Sequence, residues 1–287
     1  MDQAGLLQSL SDLPIGVIKY FDRLDSTSNV ASTWAAQGAP DLALVVAEEQ
    51  TAGRGRQGRR WVTVPKASLA FSLVIYPTDK SPDILPRLTA LGTLAVRDAL
   101  EKYYGILAQI KWPNDVLVQQ RKLAGILAEA RWTGDHIDAF ILGIGINIAA
   151  ASVGTALGNE DNLCFPATCV ESILGHPVDR LELLHHVIAE LLFWRPRLAS
   201  PEFLKAWDSH LAFRGEHVQV VTEQNVERKV SPESPGGQTL VVAKGTLLGL
   251  APDGSLKLRI QSGEVIAVRA GEVRIRLMEN SPIINEE

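Results

Sequence analysis

Four arginines and three glycines fall within the nine residues Gly53-Arg54-Gly55-Arg56-Gln57-Gly58-Arg59-Arg60-Trp61, in a chain whose net charge is −5. Guanidinium forks grip phosphate or carboxylate oxygens two at a time, and glycine lets the backbone reach positive φ and turn its amides toward the same ligand. The chemistry this run suits is the holding of a polyanion. Cations so closely spaced repel by roughly 1 kcal/mol per adjacent pair even in water. The loop is therefore expected to be mobile when empty and to close when an anion is bound. A solvated basic loop, or a Gly-Arg stretch touching RNA without sequence preference, would have the same composition.

Two further stretches carry polar atoms at strand ends. Lys111-Trp112-Pro113-Asn114-Asp115 places a lysine, an amide and a carboxylate around a proline-fixed turn, and Arg121-Lys122-Leu123-Ala124-Gly125-Ile126-Leu127 opens the next strand with another lysine. Gly125 within a strand marks a close approach of a ligand or of other backbone. In Gly143-Ile144-Gly145-Ile146-Asn147 the glycines alternate, so both clear the same face of a strand and leave a flat floor. A tight hairpin and a packing strand are the plain structural readings of these stretches.

The elements that must position these residues are legible from periodicity. The 287 residues are 46% hydrophobic, enough for one large domain and a small one. Ile15 to Phe21 reads as a strand, and Asp25-Ser26-Thr27-Ser28 caps a helix ending at Gly38. Leu42 to Ala47 and Ser68 to Tyr76 read as buried strands. Arg87 to Tyr104 is a helix with Leu88, Leu91, Ala95, Ala99 and Tyr103 on one face, stopped by Gly105. Ile106 to Trp112, Val116 to Gln119, Leu123 to Ala130 and Ile137 to Ile148 follow as strands joined by short connections, hence antiparallel. Helices are expected over Arg180 to Leu198 and Pro201 to His210, with His185 and His186 structural for want of an acidic or thiol companion. Short strands broken at Ser231 to Gly237 and at Asp253-Gly254 then form a small β domain. The expected division is 1–211 and 212–287.

Cys164 and Cys169 have no His pair at ligand spacing, so no metal site is expected. The first thirty residues hold no apolar run, which predicts a cytoplasmic chain with neither signal peptide nor spanning helix. The acidic balance argues against a general nucleic-acid binder.

Taken together, Asp25-Ser26-Thr27, Gln50 to Trp61, Lys111 to Asp115, Arg121 to Leu127 and Gly143 to Asn147 resemble, in content and order, the catalytic module of biotin–protein ligases. That resemblance implies an α+β fold: a mixed β-sheet flanked by helices, related to class II aminoacyl-tRNA synthetases, with a small C-terminal SH3-like β-barrel. It implies activation of biotin with MgATP to biotinyl-5′-AMP and transfer to one lysine of a biotin carboxyl carrier protein of acetyl-CoA carboxylase. Ser26, Thr27, Gln50, Gly53, Arg54, Gly125, Gly143 and Gly145 would then serve biotin, with Trp61 as a wall. Arg56, Arg59, Trp61, Lys111, Asn114 and Asn147 would serve ATP and the adenylate, and Lys122 both ligands. Arg56, Lys111 and Lys122 would counter the repulsion between carboxylate and α-phosphate, and Asp115 would assist the carrier lysine.

Some features depart from the family. Ser28 stands where many relatives carry asparagine, so that asparagine's role is not transferred to Asn29. The 149–166 stretch has no family motif, and Phe165 is only a candidate cover for the adenine. Some fourteen residues precede the first expected strand, too few for a winged helix, so no DNA binding is expected, and the chain would act as a monomer or homodimer. A lipoate or octanoate ligase or transferase would share the fold, but its Gly-Gly-Gly loop is missing here.

Overall fold

Residues 1–76, 84–154, 165–224, 238–269 and 273–277 are described by a computed structural model, and the chain divides into two units, Met1–His210 and Leu211–Glu287. In the first unit, helix α1 (Gln3–Ser9) leads to strand β1 (Ile18–Leu24), helix α2 (Thr27–Ala36) and strand β2 (Leu44–Gln50). β1 and β2 pair in parallel from Ile18 with Leu44 to Leu24 with Gln50, which requires the α2 crossover between them. Strand β3 (Ser68–Ile75) is buried along its whole length, as an apolar run covered on both faces should be. Helix α3 (Leu85–Tyr104) stops at Gly105, whose φ of 65° makes a left-handed cap.

Strands β4 (Gln109–Lys111), β5 (Asp115–Val118), β6 (Arg121–Thr133) and β7 (His136–Asn147) run as an antiparallel meander. The seven strands form one mixed sheet in the order β1-β2-β3-β7-β6-β5-β4. Alternation along β6 and β7 separates its faces. A Cβ on Gly143 would meet Ser28 of α2, whereas Gly92 of α3 lies against Ile126 and Leu142, so α2 and α3 cover opposite faces. The α2 face packs Ala31 with Val45, Val74, Ala139 and Ile141. Short helices α4 (Ala150–Gly154) and α5 (Val170–Leu174) follow, then α6 (Arg180–Trp194) and α7 (Pro201–Ser209).

Several expected boundaries move. The first strand starts at Ile18 because Val17 is 46% exposed and pairing with β2 begins one residue later. The strand expected from Ile106 shrinks to Gln109–Lys111, with Leu107 in solvent. α6 ends at Trp194 because Pro196 turns the chain into a 3-10 segment. Tyr103 faces solvent and stacks on His186 at 3.7 Å. His185 does have an acidic companion: Asp12 lies 3.0 Å away, brought from the N-terminal segment.

In the second unit, β8 (His217–Gln224), β9 (Gln238–Leu250), β10 (Leu256–Arg259), β11 (Val265–Val268) and β12 (Val273–Leu277) form an antiparallel sheet in the order β11-β10-β9-β8-β12. Gly254, at φ 84°, makes the β9–β10 turn. The Ser231–Gly237 break and Cys164 lie outside the described residues, and Cys169 is a buried free thiol. No described helix is long and apolar enough to cross a membrane.

Candidate active site

Gly145 of β7 pairs with Gly125 of β6, which clears a patch on the α2 face of the sheet. The alternation predicts a flat floor there, and the Trp61 indole, expected as a wall, lies directly on it. A Cβ at Gly145 would fall 2.3 Å from Trp61 Cε2, and one at Gly125 would fall 3.1 Å from Trp61 Cζ3. Gly143 makes the same allowance for α2, since its Cβ would sit 2.8 Å from Ser28 Oγ. The glycines therefore admit an aromatic ring and a helix.

The start of α2 is tied down by side chains from neighbouring strands. Ser26 is its N-cap by backbone conformation, yet its hydroxyl makes no capping bond. Instead Gln50 Oε1, at the end of β2, accepts from Thr27 N at 2.8 Å and from Thr27 Oγ1 at 3.1 Å. Thr27 Oγ1 lies 2.8 Å from Ser72 Oγ on β3, and Ser28 Oγ lies 3.1 Å from the same atom. Ser26 Oγ and Trp61 Nε1 are buried without a hydrogen-bond partner among the described residues. Leaving such a group unmade costs about 1–3 kcal/mol, which suits an atom reserved for a ligand. Asn29 is outside this network and bonds Asp25.

A cluster of charge closes the other side. The turn from β4 to β5 and the start of β6 bring Lys111 and Lys122 onto one buried carboxylate, with Lys111 Nζ 3.1 Å from Asp115 Oδ2 and Lys122 Nζ 2.6 Å from Asp115 Oδ1. Burial would raise the Asp115 pKa, but the two ammonium groups outweigh it and hold the carboxyl well below its ordinary value. A carboxylate so stabilised is a weak base. Its geometry fits holding the lysines better than the proton acceptance expected of it. Lys122 Nζ also lies 5.8 Å from the Trp61 ring centroid and Lys111 Nζ 5.4 Å from that of Phe165. Asn114 braces the hairpin through Nδ2 to Ile126 O at 3.1 Å and accepts from Arg56 at 3.4 Å.

Asn147 donates to Thr168 O at 3.1 Å, so its amide nitrogen holds the 165–168 segment. That segment runs beside Lys122, with Lys122 N to Pro166 O at 2.7 Å and Thr168 N to Lys122 O at 2.8 Å.

The arginine run folds as a strap. Arg54 bridges Arg60, Gly55 N donates to Arg59 O at 2.7 Å, and Trp61 N donates to Gly53 O at 2.8 Å. Gly53 is required by proximity, since its Cβ would fall 2.3 Å from Trp61 O. Positive φ occurs at Gly58 (71°) and at Gln57 (58°), not at Gly55, whose backbone is extended. The arginines are separated onto different partners: Arg54 onto Glu129 at 2.6 Å, Arg56 onto Asn114, Arg59 onto Gln57 at 3.0 Å and Arg60 onto Thr51 O.

The structure thus brings Gly125, Gly145, Trp61, Lys122, Asp115 and Lys111 into one patch, and Ser26, Thr27, Gln50 and Gly53 into its neighbour. Arg54, Arg56, Arg59 and Arg60 each turn to protein partners instead. Sequence reading missed Ser72 and Glu129. Their signals were a hydroxyl inside the apolar run of β3 and the single acidic residue of β6, in the same alternation as Gly125. A separate cleft of about 340 Å³ between α1 and α6, lined by residues such as Gln8, Glu182 and His185, shares none of these residues.

A face cleared for an aromatic wall and rimmed by cations held on one carboxylate defines an enzyme domain able to keep two anionic groups together. The chain belongs to the biotin/lipoate A/B protein ligase family, whose sequence model matches residues 20–147. It is 34% identical to the biotin–acetyl-CoA-carboxylase ligase of Paracoccus denitrificans, covering 88% of this chain and 97% of that protein. With the Mycobacterium tuberculosis protein of the same name it shares 30% identity over 93% of this chain and 94% of the relative. It spans about half the length of the bifunctional ligase/repressor BirA of Bacillus subtilis, at 36% identity. The biotin protein ligase of Aquifex aeolicus, solved in complex with biotin and ATP, superposes with a TM-score of 0.70 at 26% identity, covering 91% of this chain and 99% of that one.

Proposed function

We propose that this chain activates biotin with MgATP to biotinyl-5′-AMP and transfers the biotinyl group to a lysine of a biotin carboxyl carrier protein, that of acetyl-CoA carboxylase. The observation that carries the reading is the Lys111–Asp115–Lys122 cluster beside Trp61. Adenylation presses a carboxylate against an α-phosphate, and cations already fixed between them stabilise the charge that develops in line. The buried, unpartnered hydroxyl of Ser26 supports a ligand with polar atoms in an otherwise apolar slot, as the ureido ring of biotin supplies. The names of the Paracoccus and Mycobacterium relatives support the same reaction and the same carrier.

Among the described residues no group of three or more His, Cys, Asp or Glu side chains could hold a metal. Asp115 is engaged by two lysines, and Mg2+ would arrive on the phosphates of ATP. The test is to incubate the protein with biotin, MgATP and a biotin-carrier domain and weigh the carrier. Gain of one biotinyl group is expected. An unmodified carrier, or modification by lipoate in preference to biotin, would overturn the reading.

A further inference from the structure

We infer that Glu129 is a positioning residue for the arginine strap, its ion pair with Arg54 setting where Gly53 to Trp61 lies across the glycine-cleared face. Glu129 stands four residues beyond Gly125 on β6, and the uninterrupted pairing of β6 with β7 between them puts both on the α2 face. Arg54 Nη2 reaches Glu129 Oε2 at 2.6 Å, while Arg56 reaches Asn114 in the β4–β5 turn at 3.4 Å. These anchors lie on separate parts of the sheet, with Trp61 on Gly145 and Gly125. They hold the strap across the face rather than to one side.

An exposed ion pair would contribute little. Here the Arg54 side chain is 41% exposed but the Glu129 side chain is two-thirds covered, at 33% exposure, and burial pushes its carboxyl up, a shift the Arg54 guanidinium opposes without cancelling. A carboxylate on a half-buried strand face, met at close range by one arginine of a loop, fixes that loop's register. The pair joins residues 75 apart in sequence, and neither belongs to the Lys111–Asp115–Lys122 cluster.

The experiment has two arms, of which only the kinetic one rests on the ligase reading. In the first, the full chain without ligand is treated with trypsin and cuts after Arg56, Arg59 and Arg60 are timed. Glu129→Gln and Glu129→Ala should each be cut there about tenfold faster than wild type, because cleavage follows the open population. Other cuts and the thermal midpoint should not move. The exchange Glu129→Arg with Arg54→Glu should restore protection. In the second arm, biotin-dependent pyrophosphate release by Glu129→Gln should show a KM for biotin raised about tenfold at unchanged kcat, since closure is lost equally from ground and transition states. Strap cleavage equal to wild type in both single variants overturns the inference, as does an exchange variant cut no more slowly than Glu129→Ala. If wild type releases no pyrophosphate with biotin, the ligase reading fails, while the trypsin arm still decides the role of Glu129.

Discussion

Lys122 lies between the Asp115 carboxylate and the Trp61 ring, so its ammonium is held where anions would meet. A charge so placed acts mainly as negative charge develops. Lys122→Ala should lower kcat for adenylate formation by about 10²- to 10³-fold, with a much smaller change in biotin affinity. Pyrophosphate release at the wild-type rate would remove Lys122 from the chemistry. Asp115 acts one step back. With its pKa lowered in the fold, its contribution to stability is complete above the ordinary carboxylate range and is lost as pH falls through the lowered value. Asp115→Asn leaves Lys111 and Lys122 without their counter-ion and should cost about 3 kcal/mol at neutral pH. Urea midpoints would show this, and the gap to wild type should close in strong acid, where the wild-type carboxyl is protonated too.

At the scale of elements, the strap is a backbone hairpin whose conformational demands are uneven. Gly58 sits at φ 71°, and Gly55 is extended with only Arg59 O at 3.3 Å from an added Cβ. Gly58→Ala should therefore loosen the strap by about 1 kcal/mol and Gly55→Ala should change it far less. Early trypsin cleavage at Arg56 to Arg60 is the measure. Equal cleavage of the two variants would show that φ does not govern the strap. Biotin with MgATP should slow that cut in wild type more than any other, because opening then has to break ligand contacts. A ligand effect no larger at the strap than elsewhere would mean the strap does not close on the ligand.

At the scale of the molecule, the motif residues all lie in the unit Met1–His210. Residues 1–210 expressed alone should keep biotin binding, measured by calorimetry. They should transfer biotin to the carrier more slowly than the full chain, if the Leu211–Glu287 unit serves carrier docking or ATP use. Equal transfer rates would reduce that unit to a passive appendage.

Signals confined to a few neighbouring residues were enough to determine the motifs, the main strands and helices and the antiparallel meander, but not the short helices α1, α4 and α5. Gly105 stops α3 through its own φ, and the short links after Lys111 and Val118 permit only hairpins. The alternation of Gly143 and Gly145 likewise showed that both clear a single face, which the fold makes the α2 face. What filled that face was decided by tertiary structure, because Trp61 comes from a loop whose path depends on Arg54 and Glu129, 75 residues apart. The same holds for Gln50 in place of Ser26 at the start of α2, and for Ser72 between Thr27 and Ser28. Periodicity tells each strand which side chains share a face. It says nothing of the register in which distant strands meet, and in this chain the register sets which carboxylate each cation finds.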